Sequence, residues 1–183
     1  MIKAMEKIKK IFPYFAVFLF LITVLFVSFL AVQKRTSWPT KAGEEKAQLW
    51  LLPTKLNLKQ GEEAEIRVFL ISKASEVGGV DLVLKYEPEL IEIVGNTIKP
   101  GTIFDYYRDR LVDNRRGIIR LSSSGKFKGE GTFATFIIKA AKTGEGKIEI
   151  ISPKISPDSS IVWDAEEKTN ILGATYNLSF AVD

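Results

Sequence analysis

One stretch of the sequence, residues 79–93, constrains the fold more than any other. Positions 80, 82, 84 and 86 are all apolar, and the positions between them carry Asp81, Val83 and Lys85. This period of two is the pattern of a β-strand that has one side in a hydrophobic core. Glu87-Pro88-Glu89 then interrupts the pattern, because proline has no amide hydrogen for a sheet and restricts the residue before it. Residues 90–93 are again largely apolar, so the stretch predicts a strand, a tight corner and a second strand.

The chain beyond position 48 repeats this kind of pattern in short pieces. Residues 64–70 and 174–182 alternate, and residues 132–141 are apolar on both sides over their middle, as in a central strand. Glycine and proline turns separate the pieces, and no stretch after Val32 has a helical period. Short strands between such turns are typical of sandwiches. We therefore predict an all-β, nine-stranded antiparallel jelly-roll or immunoglobulin-like β-sandwich.

Two segments in the second half of the domain are predicted separately. Residues 105–114 are charged and aromatic without a clear period, so we expect a loop or an edge strand. Residues 117–124 alternate and end in serine and glycine, which predicts a strand.

The amino-terminal part has a different composition. Residues 11–32 contain no charged residue and six phenylalanines. About 20 such residues suffice for a helix to cross a bilayer, so this segment is predicted to be a transmembrane helix that remains as a signal anchor. The alternative is a cleaved signal peptide, whose apolar region spans about 7–15 residues and ends in a small-x-small site. Phe29 lies two positions before Ala31 and fits such a site poorly.

These patterns divide the chain into four parts. Residues 1–10 form a basic head, 11–32 the anchor, 33–47 a flexible linker and 48–183 the β-domain. The net charge is +3 for the head and +2 for residues 33–48, which leaves −1 for the rest out of a total of +4. The basic character therefore belongs to the flanks of the anchor, and net charge gives no support to nucleic-acid binding by the domain.

The sequence contains no cysteine and no histidine. Disulfides, thiolate zinc sites, cysteine–histidine pairs and Ser-His-Asp triads are thus excluded. Acidic pairs such as Glu87 with Glu89, or Asp158 with Asp164, could in principle act as glycosidase carboxylates, but an acid-rich domain offers many such pairs by chance. We predict that the protein is not an enzyme and has no cofactor.

Two further groups of residues have a possible binding role. Asp105, Asp109 and Asp113 are spaced four apart but lack the calcium-loop pattern, so no metal site is predicted. Aromatic side chains could together form a platform on which a sugar ring stacks; these are Trp50, Tyr106, Tyr107 and Trp163.

Residues 79–93 resemble the third and fourth strands of cohesin modules, in which a Tyr-Asp-Pro corner leads into a Leu-Glu-Val type of strand; here Glu87 stands in place of the aspartate. Three further pieces follow the order of that family: an early Gly-Glu turn, a Pro-Gly loop and a long central strand, at residues 58–62, 98–101 and 131–140. The resemblance covers residues 48–182. It implies a nine-stranded jelly-roll sandwich, akin to family-three carbohydrate-binding modules, that binds a dockerin module without catalysis.

The resemblance also implies a site. In cohesins a flat sheet face that includes the third strand meets the dockerin. By position, Asp81 matches a polar contact residue of that strand, and Val83 and Lys85 share its outward side. Arg120 and Ser122, on the strand 117–124, would share the same sheet face.

The expected function is a membrane-anchored, non-catalytic binding module that recruits a dockerin-type protein outside the cytoplasm. Lysine and arginine residues are nearly balanced on the two sides of the anchor, so the cytoplasmic placement of the amino terminus rests mainly on the resemblance. The first alternative is a surface carbohydrate-binding module, with a polysaccharide as partner. The second is a structural subunit of the envelope or of a secretion complex.

Overall fold

The computed structural model describes residues 46–95, 97–153 and 158–183, which form eleven β-strands and no helix. The predicted anchor, residues 11–32, lies outside the described residues. Within the described ranges, no helix has the length and apolar character needed to cross a bilayer. The strands are β1 (Ala47–Leu52), β2 (Lys55–Leu58), β3 (Glu63–Tyr86), β4 (Ile91–Ile93), β5 (Lys99–Pro100), β6 (Tyr106–Asp113), β7 (Ile118–Ala140), β8 (Gly144–Ile150), β9 (Ile161–Asp164), β10 (Leu172–Tyr176) and β11 (Leu178–Val182).

Two long strands, β3 and β7, are the framework of the domain. They pair antiparallel from Glu63↔Lys139 to Lys85↔Ile118. The register shifts near Val68 and again between Ser72 and Gly79. Such irregularities bend and twist a strand pair. Each long strand is therefore divided into two arms, and the two arms take different neighbours.

The arms belong to two layers. In one layer, residues 63–72 of β3 pair with β1, and the matching arm of β7 pairs with β4 and β5. In the other layer, residues 77–86 of β3 pair with β9 and β8, and residues 118–124 of β7 pair with β6. Alternate residues of both layers are buried in one hydrophobic cluster, which confirms the all-β prediction; its fully buried members include Leu49, Leu51, Ile66, Leu70, Leu84, Ile119, Leu121, Phe133 and Phe136.

The expectation of an entirely antiparallel sandwich is wrong at the two ends of the chain. β1 pairs parallel with β10, with Trp50 opposite Tyr176, and β2 pairs parallel with β11, with Leu56 opposite Phe180. An alternating pattern is the same in either chain direction, so the sequence could not reveal this. The first two strands of the domain therefore pair with the last two, β1 with β10 and β2 with β11.

The strand count also differs from the predicted nine. β3 continues through Gly78 and Gly79, where a turn was expected. The expected last strand, 174–182, is instead divided into β10 and β11 at Asn177. The side-chain Oδ1 of Asn177 accepts a hydrogen bond from the amide of Ile150 at 2.9 Å and replaces a backbone acceptor there. The predicted domain start, Gln48, falls one residue inside β1.

The proline corner is held by a buried polar group. Tyr86, at the end of β3, donates its hydroxyl to Oδ1 of Asn114 at 2.5 Å. The same oxygen accepts the amide of Ile93, and the Asn114 amide donates to the Ile93 carbonyl at 3.0 Å. Burial raises the pKa of Tyr86 to about 12, and the negative charges of Asp113 and Glu92 add to this effect. The two strands of the corner are therefore tied to the turn that follows β6.

Candidate protein-binding face

The predicted site residues lie on the outer side of one layer. Its strand order is β9–β3–β7–β6, and the described pairings of β6 are with β7 alone, so β6 is an edge strand. Residues 105–114 were expected to be a loop or edge, and the edge strand is what forms. We call the outward surface of these four strands the front face; its residues are Tyr106, Arg108, Arg110 and Leu111 of β6, Arg120, Ser122 and Ser124 of β7, Gly79, Asp81 and Val83 of β3, and Ile161 and Trp163 of β9.

The register places these residues in rows across the strands. One row contains Trp163, Gly79, Ser124 and Tyr106, each opposite the next on the neighbouring strand. The second row contains Ile161, Asp81, Ser122 and Arg108. The third contains Val83, Arg120 and Leu111. Asp81 and Ser122, which were predicted from different parts of the sequence, are therefore direct neighbours near the centre of the face.

The first row forms a trough. Its two middle residues, Gly79 and Ser124, are small, whereas its ends are large and exposed: Trp163 is 38% exposed and Tyr106 is 55% exposed. Adjacent strands lie about 4.8 Å apart, so three spacings separate the two aromatic residues by about 14 Å. The depression between them is lined by Gly79, Ser122 and Ser124 together with side chains of both rims. The trough thus has Trp163 on one wall, Arg108 of β6 on the other and a floor of small residues, and Tyr106 ends the same row at the β6 edge.

One wall of the trough is held by a predicted site residue. The indole Nε1 of Trp163 donates a hydrogen bond to Oδ2 of Asp81 at 3.0 Å. The carboxylate of Asp81 therefore fixes the indole plane as well as presenting charge to solvent. The sequence prediction assigned Asp81 a direct contact with a partner, but it did not include this positioning role.

A second depression continues from the first across Asp81 and Ser122. It is lined by Arg120, Asp158 and Leu111, among others. Arg120 donates to both carboxylate oxygens of Asp158. The hydrogen bond from Arg120 lowers the pKa of Asp158. The same hydrogen bond raises the pKa of Arg120. This pair is exposed, so its contribution to stability is small, and its main effect is to hold Arg120 flat along the face.

Two of the predicted residues contribute less to this surface. Val83 has the expected register but is only 8% exposed. The Ser160 hydroxyl accepts the Val83 amide at 2.9 Å and donates to the Val83 carbonyl at 3.1 Å, so a later segment of the chain lies over it. Val83 therefore has the outward parity that was expected, but little of its surface is accessible. Lys85 is exposed but lines a different depression, beside Glu87 and Pro88.

The edge strand β6 adds residues that the sequence prediction missed. Leu111 is 52% exposed and lies opposite Arg120. The register shifts between Arg108 and Arg110, which places Arg110 opposite Leu121, and both Arg110 and Leu111 line the second depression. The guanidinium of Arg108 lies 5.9 Å from the ring centroid of Tyr106. Because of the bulge, alternation alone could not indicate which residues of this segment share a side.

The four aromatic residues considered as a sugar platform do not lie together. Tyr107 packs against Phe104 and Phe133 and donates its hydroxyl to the Phe133 carbonyl at 2.8 Å, and burial raises the pKa of Tyr107 to about 12. Trp50 is stacked on Tyr176 at the opposite layer. Only Tyr106 and Trp163 of the four belong to the front face.

The acidic residues considered for catalysis or metal binding are mostly engaged in local contacts. Asp158 binds Arg120, and Oδ1 of Asp164 accepts the amides of Glu166 and Glu167 at 2.8 Å. Asp113 accepts the amides of the two residues of the turn after β6. Among the described residues, no group of three or more acidic, histidine or cysteine side chains could hold a metal ion.

A family model described as the cohesin domain matches residues 50–179. The chain belongs to the cohesin family. No curated protein matches the sequence at a significant level. Solved structures match this cohesin at identities that establish the fold alone, some of them along more than nine-tenths of their own length.

Three of these structures illustrate the range. A type I cohesin–dockerin complex from Clostridium thermocellum has a TM-score of 0.61 at 17% identity and covers 75% of this chain and 94% of its own. A non-cellulosomal cohesin from the hyperthermophilic archaeon Archaeoglobus fulgidus has a TM-score of 0.58 at 14% identity, with coverage of 76% and 92%. A type II cohesin dyad of Acetivibrio cellulolyticus has a TM-score of 0.60 at 18% identity, with coverage of 75% and 48%.

Proposed function

We propose that this cohesin is a non-catalytic binding module that recruits a dockerin-type protein through its front face. The observation that carries the proposal is the trough between Trp163 and Tyr106, next to Asp81 and Ser122, in a domain of the cohesin family. Exposed aromatic residues beside a small-residue floor are the kind of feature that anchors a protein interface, where tryptophan, tyrosine and arginine supply most of the binding energy.

A binding role also agrees with the chemistry of the face. Its two depressions are shallow and continuous, as an interface with a folded partner requires. Asp81 and Asp158 are each engaged by a neighbouring side chain, so neither is poised as a free acid or base. With neither histidine nor cysteine in the sequence, a nucleophile–base pair of the usual kinds cannot be assembled.

The direct test measures dockerin binding to the full-length chain in detergent micelles by isothermal titration calorimetry. A panel of dockerin modules is compared on the unmodified protein, on Ser122→Trp and on Glu65→Trp. The first substitution places a large side chain at the centre of the front face, and the second places the same side chain on the outer surface of the other layer. We expect at least one dockerin to bind the unmodified protein and Glu65→Trp, and Ser122→Trp to lose that binding.

Two outcomes would contradict the proposal. If no dockerin binds although the domain unfolds cooperatively, a dockerin is not the partner. Equal loss in the two tryptophan variants would remove the front face as the site. Retention of the protein on cellulose, xylan or chitin that disappears in Trp163→Ala would favour the carbohydrate-binding alternative instead.

We further propose that residues 11–32 anchor the module in a membrane, with the amino terminus in the cytoplasm and the β-domain outside. The support is the long uncharged segment and the basic residues on its flanks. Because the sequence has no cysteine, single introduced cysteines report topology without background labelling. In intact cells a membrane-impermeant maleimide should label Ser37→Cys and spare Ala4→Cys. The reverse result would invert the topology, and labelling of neither after cleavage would indicate a signal peptide.

A further inference from the structure

We propose that the β6 rim of the front face binds an acidic surface of the protein partner, with Arg108 and Arg110 as the residues that select it. The inference rests on the proposed function and names the chemistry of the partner at one edge of that interface. It comes from the charge distribution of the front face, in which the acidic groups are already engaged and the β6 arginines are not.

The carboxylates of the face have internal partners. The carboxylate of Asp81 accepts a hydrogen bond from the indole N–H of Trp163. The carboxylate of Asp158 accepts hydrogen bonds from two guanidinium nitrogens of Arg120. Arg120 is thereby neutralised by Asp158. The charges of Arg120 and Asp158 are therefore paired before a partner arrives, and one carboxylate oxygen of Asp81 is held by the indole.

The two arginines of β6 differ from Arg120. Both are exposed, and among the described side chains neither forms an ion pair. Arg108 lies 5.9 Å from the centroid of the Tyr106 ring, a cation–π distance that orients the guanidinium while leaving its N–H groups free. Asp109 separates the arginines in sequence, so residues 106–111 carry a net formal charge of +1. A guanidinium presents donors that match a carboxylate in a two-bond arrangement.

Both arginines of β6 border the site. Arg108 lines the trough together with Trp163, and Arg110 lines the second depression together with Arg120 and Leu111. In a regular strand, residues two apart share a side and the next residue, Leu111, would point away from Arg110. The register shift between Arg108 and Arg110 instead brings Leu111 opposite Arg120, and Arg110, opposite Leu121 on this edge strand, still lines the second depression, so two cations and an exposed leucine border the front face.

The opposite rim has the opposite charge. The turn after β9 carries Asp164, Glu166, Glu167 and Lys168, and residues 164–168 have a net formal charge of −2. Asp164 and Lys168 line the trough. The front face is therefore positive along β6 and negative along the β9 turn. A partner with an acidic edge would dock with that edge on β6, and this fixes its orientation as well as its identity.

The first test uses a probe that is not a dockerin. Binding of poly-L-glutamate to the full-length chain in detergent micelles is measured at low salt for the unmodified protein, for R108E/R110E and for R115E/R116E. The control pair is exposed in the turn between β6 and β7, off the face, and makes the same change in net charge. We expect R108E/R110E to weaken binding by about tenfold or more, and the control by less than about threefold.

Equal effects in the two double variants would overturn the inference, because they would show that only net charge matters. Binding to a single-stranded DNA of matched charge that is tighter than binding to poly-L-glutamate, and that also depends on Arg108 and Arg110, would overturn the assignment to an acidic protein. R108Q/R110Q serves as a second variant without charge reversal, and we expect an intermediate loss.

The second test repeats the comparison with a dockerin that binds. The dockerin affinity should fall about tenfold in R108E/R110E and should fall little in R115E/R116E. Only in R108E/R110E should the affinity lose most of its dependence on salt concentration. Dockerin binding that is indifferent to both variants would overturn the inference while leaving the proposed function intact. If no dockerin binds but poly-L-glutamate binding still depends on Arg108 and Arg110, the hypothesis of a dockerin partner fails and that of an acidic partner stands.

Discussion

The two outer surfaces of the sandwich both carry aromatic residues but arrange them in opposite ways. On the back face, which is the outward side of β10, β1 and the 63–72 arm of β3, Trp50 lies between Tyr176 and Phe69 on adjacent strands. The rings of Trp50 and Tyr176 are stacked, with centroids 3.4 Å apart and an interplanar angle of 12°. On the front face, Trp163 and Tyr106 are separated by two strands that carry Gly79 and Ser124 in the same row.

The difference shows that an exposed aromatic residue is a binding candidate only when its neighbours are small. Cross-strand neighbours that touch, such as Trp50 and Tyr176, cover each other's faces and contribute to the stability of the sheet. Aromatic residues that stand two small residues apart keep their faces open, and the space between them can hold part of a partner. The same residue type therefore serves the fold on one side and is available for recognition on the other.

Removing the wall of the trough should have the largest effect on binding. Trp163→Ala deletes a side chain that is 38% exposed, so some packing is lost and the free energy of unfolding should fall by about 1–2 kcal/mol. Its loss from an interface anchor should weaken dockerin affinity by about 2–3 kcal/mol, measured by calorimetry on a dockerin that binds. An unchanged affinity would break the comparison, since the open aromatic residue would then have no role in recognition.

Trp50→Ala should give the reverse result. Its ring is partly buried against Tyr176, so truncation removes apolar contacts and an aromatic pair and should lower the free energy of unfolding by about 2 kcal/mol in urea titrations. Dockerin affinity of the folded protein should stay within about twofold of the original value. If binding falls as far as in Trp163→Ala, the two faces are not distinct in function.

Asp81 sharpens the comparison with a smaller effect. In Asp81→Ala the Trp163 indole loses its acceptor, and we expect dockerin affinity to fall by about 1 kcal/mol, the usual contribution of one hydrogen bond. Asp81→Asn keeps an acceptor oxygen and should recover much of the loss. The emission maximum of Trp163 should shift in the alanine variant and remain near the original in the asparagine variant. Equal losses in both variants would assign Asp81 a charge contact with the partner instead of a positioning role.

The Arg120–Asp158 pair should give the smallest effect. The hydrogen bond from Arg120 lowers the pKa of Asp158, so the carboxylate stays ionised below the usual aspartate pKa of about 3.9. Its contribution is present above that unfolded-state value and is lost as pH falls through the folded-state pKa. Carbon-detected NMR titration of Asp158 should show the pKa moving toward its ordinary value in Arg120→Gln. The same pKa in both proteins would show that the pair does not persist in solution.

The sequence alone determined the fold class and the side of the sheet on which several site residues lie. Alternation and the proline corner are local properties of a few consecutive residues, so they located most strands. The sheet face of Asp81 and Ser122 was expected from the cohesin resemblance. The cohesin resemblance supplied the order of those pieces. No described residue contradicts the β character that these patterns predicted.

Only the tertiary structure decided which strands are neighbours and in which direction they run. The parallel closure of β1 on β10, the edge position of β6 opposite Trp163 and the cover that Ser160 places over Val83 all depend on residues far apart in sequence. Alternation repeats every two residues whatever lies beside the strand, so it contains no information about the neighbour. The bulge that brings Leu111, and not Arg110, opposite Arg120 shows the same limit on a smaller scale.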